Sequence, residues 1–294
     1  MTKISGIFAA SMSVINTDMS LNIEKTISHS EKLIELGCHG TAIFGSTGQA
    51  QLISVSEKIK LLNYLTENKY RDKHIIGSGF NSLNETINFL KIATSLKFNR
   101  FLIMPPAYYK YEDKDVLNFY SKIVEAVPNS EIILYNFEKL CGYKFSVECI
   151  IKLVERFPDQ IIGVKDSTYN LFENLKLENF SIMPGSESKL LKGLEHGCSG
   201  IITATCNVTA RLARRVYDDF FSSKEQLYNQ KLIDVRNVFE KYNLISSLHT
   251  FYSKENQIYK NLLPPLSLLN DFDEKELIKS LRELNFDTNS LLAA

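Results

Sequence analysis

The residue in this chain best suited to covalent chemistry is an amine at the end of an apolar run. Lys165 closes the segment Gln160-Ile161-Ile162-Gly163-Val164-Lys165, and Asp166-Ser167-Thr168 follow it. A lysine there leaves its ammonium in a poorly solvated place, which disfavours the charged form. A neutral amine attacks ketones, and the product is a Schiff base. The competing reading is a lysine that snorkels past the strand end and pairs with Asp166 or another acid. Upstream, Tyr135 ends a second apolar run, Glu131-Ile132-Ile133-Leu134-Tyr135-Asn136. Imine formation needs a proton relay, because the carbinolamine hydroxyl leaves as water, and a phenol held by neighbouring hydroxyls supplies one. Thr47 and Tyr109 are candidate neighbours. The alternative is a packed tyrosine with its hydroxyl in water.

A third group is the loop Gly45-Ser46-Thr47-Gly48-Gln49. Two hydroxyls and nearby backbone N–H groups form a cradle suited to a carboxylate, with no second lysine to compete as nucleophile. A tight turn that uses Ser46 and Thr47 as local caps explains the same residues, and the loop alone does not separate the two.

These groups need a frame that gathers them. Short β-branched runs alternate with longer amphipathic stretches along the chain. The runs predict strands at Gly6–Ser11, Gly40–Phe44, His74–Gly79, Arg100–Met104, Glu131–Tyr135, Ile161–Lys165, Phe180–Pro184 and Gly200–Thr205. Helices are predicted at Ser20–Leu36, Ser56–Lys69, Leu83–Leu96, Glu112–Ala126, Val147–Phe157, Leu171–Leu177, Ser188–His196 and Thr209–Phe221. Ser54 and Glu57 have the spacing of a capping box, and Gly37 and Gly197 sit where helix-terminating glycines belong. Eight strand-plus-helix units without a hairpin point to an α/β fold, a closed (β/α)8 TIM barrel. The barrel is expected over residues 1–222 and a C-terminal helical extension over 223–294, with a break at Leu263-Pro264-Pro265 and a last helix near Glu274–Leu284. Neither a Gly-x-Gly-x-x-Gly after the first strand nor a phosphate-binding GxxxxGK[ST] occurs, so nucleotide folds lose their main support.

In such a barrel the active site lies at the C-terminal ends of the strands. Those ends collect the polar residues already named: Ser46 and Thr47, Tyr108 and Tyr109, Tyr135, Lys165, then Gly185-Ser186-Glu187 and Thr203-Ala204-Thr205.

Composition narrows the classes. The 34 basic and 34 acidic side chains cancel, so no global field recruits nucleic acid or an anionic membrane. No apolar run has the length of a membrane span, and the N-terminal residues lack a signal-peptide core, so the cytoplasm is the expected compartment. Five cysteines show no CxxC spacing and read as reduced, buried thiols. The five histidines are scattered without metal-ligand spacing, which leaves no expected metal site.

Taken together, Gly45-Ser46-Thr47-Gly48, Gly79-Phe80-Asn81, Pro106-Ala107-Tyr108-Tyr109, Ile133-Leu134-Tyr135-Asn136, Gly163-Val164-Lys165-Asp166 and Gly200-Ile201-Ile202-Thr203-Ala204-Thr205 resemble the pyruvate-dependent class I aldolases typified by dihydrodipicolinate synthase and N-acetylneuraminate lyase. The resemblance runs through residues 4–220 in unbroken order and fades in the C-terminal helices. It implies that Lys165 forms an imine with pyruvate or another 2-keto acid and that Tyr135 is the proton donor and acceptor. It implies that Thr47 and one of Tyr108 and Tyr109 complete a hydroxyl relay, the tyrosine coming from a neighbouring subunit. Ser46, Thr47 and Gly48 would hold the keto acid's carboxylate, with Ile202 lining the same pocket. A homotetramer without metal or organic cofactor is the expected state.

The departures bear on the second substrate. Synthases acting on aspartate semialdehyde carry an arginine five residues after the strand-five tyrosine, where this chain has Leu140. Losing a bidentate guanidinium costs about 2–3 kcal/mol if nothing compensates. The sialic acid lyase branch places acids after the strand-seven glycine to bind sugar hydroxyls. Here Gly185 is followed by Glu187, which can serve, and by Ser188 in place of a second acid. The leading expectation is therefore a Schiff-base lyase or aldolase of sugar-acid type. Dihydrodipicolinate synthase chemistry is the alternative within the family. Two other classes compete: a barrel that binds a keto acid without turning it over, and a metal-dependent barrel hydrolase, which the lack of clustered His and Asp at strand ends disfavours.

Overall fold

A computed structural model describes residues 4–286; residues 1–3 and 287–294, the outer ends of the two expected domains, lie outside it. Eight parallel strands form the frame: β1 (Gly6–Ala10), β2 (Gly40–Ile43), β3 (His74–Gly77), β4 (Arg100–Ile103), β5 (Glu131–Asn136), β6 (Ile161–Asp166), β7 (Ser181–Pro184) and β8 (Gly200–Thr203). Their order is β7-β6-β5-β4-β3-β2-β1-β8. The remaining seam is narrow, and the Ser199 N–H just before β8 donates to Ile182 O on β7 at 2.9 Å. The result is the expected barrel, nearly closed.

The crossover helices are α1 (Ile23–Glu35), α2 (Val55–Leu65), α3 (Leu83–Ser95), α4 (Asp113–Ala126), α5 (Glu138–Cys141), α6 (Val147–Arg156), α7 (Leu190–Glu195) and α8 (Cys206–Phe221). Capping sets several of their starts. Ser54 and Glu57 make the anticipated capping box on α2, and Ser82 and Ser146 accept N–H bonds at the starts of α3 and α6.

One predicted helix is absent. Residues 171–177 form turns, because the Asp166 carboxylate takes up the local backbone donors. It accepts N–H bonds from Tyr169 at 2.9 Å, Leu171 at 2.9 Å and Phe172 at 3.1 Å. N–H groups held this way pin a turn rather than open a helix ladder. A short helix not expected, α5, follows β5 instead.

Side chains alternate between lumen and helix layer. Phe8, Ala42, Ile75, Leu102, Ile133, Met183 and Ile202 fill the lumen with Tyr135. Ile43, Ile76, Phe101, Ile132, Leu134 and Val164 face the helices. Each buried side chain of this size contributes roughly 1.5–3 kcal/mol of hydrophobic stabilisation.

Beyond α8 come α9 (Asn229–Glu240), α10 (Leu244–Ser253) and α11 (Asp271–Glu283). Val235, Phe239, Leu248, Leu277 and Leu281 of these helices pack with Met12, Ala204 and Val208 of the barrel. That packing lays α9 and the start of α10 against the C-terminal ends of the strands.

Candidate active site

The ladder between β5 and β6 decides the centre of the site. Ile132 pairs with Ile161, but Ile133 pairs with Gly163, so one extra residue, Ile162, is accommodated on β6. From there the register runs Leu134–Val164, Tyr135–Lys165 and Asn136–Asp166. Ile161 packs outward, while Ile162 packs toward the lumen cluster. This irregularity resets the alternation and brings Lys165 level with Tyr135 on the inner face, a use of bulges found near reactive groups.

Lys165 is 3% exposed. Its Nζ lies 4.2 Å from the centroid of the Tyr135 ring. Asp166, the partner proposed by the snorkelling alternative, faces the other way. Besides the three N–H bonds above, it accepts from Asn136 Nδ2 at 2.8 Å. Among the described residues no carboxylate lies within ion-pair distance of Lys165 Nζ.

The Tyr135 hydroxyl meets Ser46 Oγ at 3.1 Å. The expected neighbour Thr47 is buried and lines the same cavity, but the bonded hydroxyl is that of Ser46. The Gly45–Gly48 loop is both a turn and a cradle. Gly48 N donates to Gly45 O at 3.1 Å, Gln49 N to Ser46 O at 3.0 Å and Ala50 N to Gly45 O at 3.3 Å. The N–H groups of Ser46 and Thr47 take no part in that network, so the two residues with hydroxyls also keep their amides for a ligand. Gly48 must be glycine: a Cβ there would stand 2.9 Å from Ser11 O. Gln49 ties the loop to the C-terminal segment by accepting from Leu263 N at 2.8 Å.

A cavity of about 630 Å³ opens over Lys165, walled by Ser46, Thr47, Tyr135, Leu140, Ser167 and Gly185. Gly185 lets Ser167 approach, since a Cβ would meet Ser167 Oγ at 2.1 Å. An apolar recess of about 280 Å³ adjoins it, sharing Ser46, Tyr135, Leu140 and Ile245 and lined further by Met104, Pro265 and Leu266. Ile202 is fully buried in the lumen cluster with Tyr135.

The other expected site residues, Tyr108, Tyr109 and Glu187, stand away from this centre. Tyr108 and Tyr109 are 91% and 73% exposed and stack edge-to-face on each other, so within one chain neither reaches Tyr135. Tyr108 also holds a left-handed φ of 87°. Glu187 does not wall the cavity and so cannot take sugar hydroxyls there. It is fully buried, accepts from Thr203 Oγ1 at 2.7 Å, and pairs with Arg236 Nη1 at 3.4 Å. A carboxylate without water needs such partners, and the buried guanidinium supplies the charge.

Arg236 itself was not anticipated. It reaches the cavity wall from α9, together with Glu240, Tyr242 and Asn243. Burial opposes its charge, but the Glu187 and Glu240 carboxylates more than offset that and raise its pKa. A signal did exist in the sequence: Leu232, Val235, Arg236 and Phe239 share one helical face, and a charge inside an apolar stripe marks a buried partner. Tyr169, also on the wall, holds a left-handed φ of 63°, and burial pushes its phenol up to about 12.

Comparison with known proteins adds to this geometry. Residues 3–284 match the model of the dihydrodipicolinate synthetase family. An uncharacterised DapA-like lyase of Chloroflexus aurantiacus is 28% identical over 228 residues, covering 75% of this chain and 76% of that protein. An N-acetylneuraminate lyase of Clostridium perfringens is 27% identical over 221 residues, 72% of this chain and 75% of the relative. The 4-hydroxy-tetrahydrodipicolinate synthase structure from Methylacidiphilum fumariolicum shares the fold with a TM-score of 0.88 at 23% identity, covering 99% of this chain and 98% of that one.

Proposed function

This chain belongs to the dihydrodipicolinate synthetase family, and from that premise we propose a class I lyase or aldolase that holds pyruvate or another 2-keto acid as a Schiff base on Lys165. The observation that carries the reading is the Lys165–Tyr135 pair: a buried amine with no carboxylate partner, 4.2 Å from the ring of a phenol that is hydrogen-bonded to Ser46.

The chemistry runs as follows. The Lys165 nitrogen adds to the keto carbon, and Tyr135 protonates the resulting hydroxyl so that it leaves as water. The iminium then accepts electrons. In the cleavage direction the bond between C3 and C4 of a 4-hydroxy-2-keto acid breaks and its electron pair forms the enamine. The C4 hydroxyl proton passes to the deprotonated Tyr135, and an aldehyde departs. Protonation at C3 and hydrolysis return pyruvate and the free amine. Condensation is the reverse. Ser46 and Thr47 hold the keto acid's carboxylate through their hydroxyls and uncommitted amides, and Gly48, whose own N–H closes the turn onto Gly45, shapes the loop that presents them. Thr47 extends the relay with Tyr108 or Tyr109 of a second copy, and the exposure of both tyrosines supports an assembly, read here as a homotetramer. No cofactor takes part.

Leu140 on the cavity wall favours the lyase or aldolase reading over condensation with aspartate semialdehyde, because it offers no donor to a second carboxylate. The similarity to a lyase of sialic acid supports the same branch. The same reading assigns the enzyme to the cytoplasm, and the five buried, unbridged cysteines support a reducing compartment. Among the described residues no helix is long and apolar enough to cross a membrane.

Borohydride reduction in the presence of pyruvate tests the proposal. A pyruvyl adduct located on Lys165 by peptide mass measurement is expected. An unmodified Lys165 under conditions of turnover refutes the Schiff base, and an adduct without any aldolase or lyase turnover identifies a binding barrel instead.

A further inference from the structure

With Glu187 turned away, the acids expected to grip a sugar-like chain are gone from the strand-seven loop, yet a charged pair stands elsewhere on the cavity wall. Only one edge of Arg236 is held by buried partners. Its Nη1 donates to Thr205 Oγ1 at 2.8 Å and Thr203 Oγ1 at 3.2 Å and pairs with Glu187 at 3.4 Å, all of them buried. The opposite edge, Nε and Nη2, meets Glu240 at 3.3 and 3.4 Å. These are long for a bidentate arginine–carboxylate pair, whose bonds run nearer 2.8 Å. The arginine side chain is 4% exposed, whereas that of Glu240 is 51% exposed. One partner is therefore fixed and the other is free to shift.

We infer that the Arg236–Glu240 pair is the distal subsite of this enzyme, and that it takes the hydroxyl groups of an uncharged polyhydroxylated aldehyde. The inference rests on the Schiff-base reading and names the substrate class for the same cavity. A hydroxyl both donates and accepts, so it can bridge the two: it accepts from Arg236 Nη2 and donates to a Glu240 oxygen. The pair is already charge-compensated, so a neutral ligand meets no net repulsion. A carboxylate would have to evict Glu240 and would then face Glu187 behind the arginine and Glu138 on the wall. The Leu140, Met104, Ile245, Pro265 and Leu266 side chains of the recess beside Tyr135 offer no donor, and among the charged residues on the larger cavity's wall (Glu138, Lys139, Lys165, Arg236 and Glu240) only Arg236 and Glu240 form an ion pair with each other.

The test compares pyruvate condensation with D-erythrose, with butanal, which has the same carbon count and no hydroxyls, and with succinic semialdehyde, which ends in a carboxylate. The wild-type enzyme is expected to favour D-erythrose over both. In Glu240→Ala the ratio of kcat/KM for D-erythrose to that for butanal should fall about tenfold or more, as expected for lost hydrogen bonds to a charged group. Glu240→Gln, which keeps an acceptor, should restore part of that ratio. Because Glu240 is half exposed, neither change threatens the core. An unchanged ratio, or a wild-type preference for butanal or succinic semialdehyde, overturns the inference. Borohydride trapping of pyruvate on the wild-type enzyme separates the two levels. Trapping with an unchanged ratio leaves the Schiff base standing and removes the subsite, and failure to trap removes both.

Discussion

Tyr135 and Lys165 are register partners on adjacent parallel strands, and the extra residue Ile162 is what makes them so. Had the pairing of Ile132 with Ile161 continued without interruption, Tyr135 would lie beside Val164, which packs against the helix layer. The shift puts the Lys165 side chain over the phenol ring instead, with Nζ 4.2 Å from its centroid. An amine and a phenol at the same level of the lumen can both reach one substrate carbon and its oxygen without rearranging the barrel.

Replacing the amine should remove turnover and spare the fold. Lys165→Ala is expected to show no pyruvate trapping and no detectable aldolase activity, with a circular dichroism spectrum like that of the wild type. The side chain makes no ion pair among the described residues, so little packing or pairing depends on it. Retained turnover in this variant would mean that another nucleophile carries the chemistry.

Tyr135→Phe keeps the ring beside Lys165 and removes only the hydroxyl bonded to Ser46. The expected loss in kcat is roughly 10²–10⁴-fold, the range for a positioned general acid–base. Single-turnover trapping should slow in parallel. A variant with near-normal kcat would exclude the phenol from proton transfer.

The buried Glu187–Arg236 pair gives a stability prediction separate from activity. Arg236→Met strands a carboxylate that is fully buried, and the cost should be about 3–5 kcal/mol. Adding Glu187→Gln in the same chain removes the stranded charge and should recover much of the loss. Urea unfolding of the single and double variants measures both. Equal stability of the two would show that Glu187 finds water or another cation.

Acid should weaken the fold through three histidines. Burial holds His29, His74 and His249 neutral, with pKa values lowered from 6.5 to about 4. Burial outweighs the hydrogen bonds that favour the charged rings, from His249 Nδ1 to Tyr259 O at 2.9 Å and from His29 Nε2 to Asn207 Oδ1 at 2.8 Å. The unfolded chain binds these protons from pH 6.5 downward and the folded chain only near 4, so folding is penalised increasingly as pH falls through that window. Above about pH 7 the effect vanishes. Each histidine contributes on the order of 3 kcal/mol at the lower end. Urea midpoints measured between pH 7.5 and 4.5 should fall steeply, and His74→Gln should flatten the slope. A midpoint independent of pH in this range contradicts the burial of these rings as neutral species.

The frame was largely legible before any coordinates. All eight strands fall within a residue or two of the β-branched runs, because a strand buried on both faces leaves a short, dense apolar signature. Helix starts followed from Ser54 and Glu57, whose side chains act within one turn of their own backbone. The rule that barrel chemistry gathers at strand C-termini then placed Ser46, Thr47, Tyr135, Lys165 and Gly185 around one cavity. Residues 171–177 misled the reading because their hydrophobic spacing suits a helix, while the competing acceptor, Asp166, is a neighbour whose side-chain direction no local pattern reveals.

Local chemistry, then, was enough to specify a parallel barrel with an amine and a phenol at its upper rim, since strand runs, caps and glycine turns act over a few residues. Contacts between distant segments required the folded chain. The insertion of Ile162 between paired strands aligns Lys165 with Tyr135, the burial of Glu187 takes it out of the cavity, and the packing of α9 brings Arg236 and Glu240 in. Each depends on which surfaces meet when the apolar faces close, and that is a property of the whole packing rather than of any single stretch of residues.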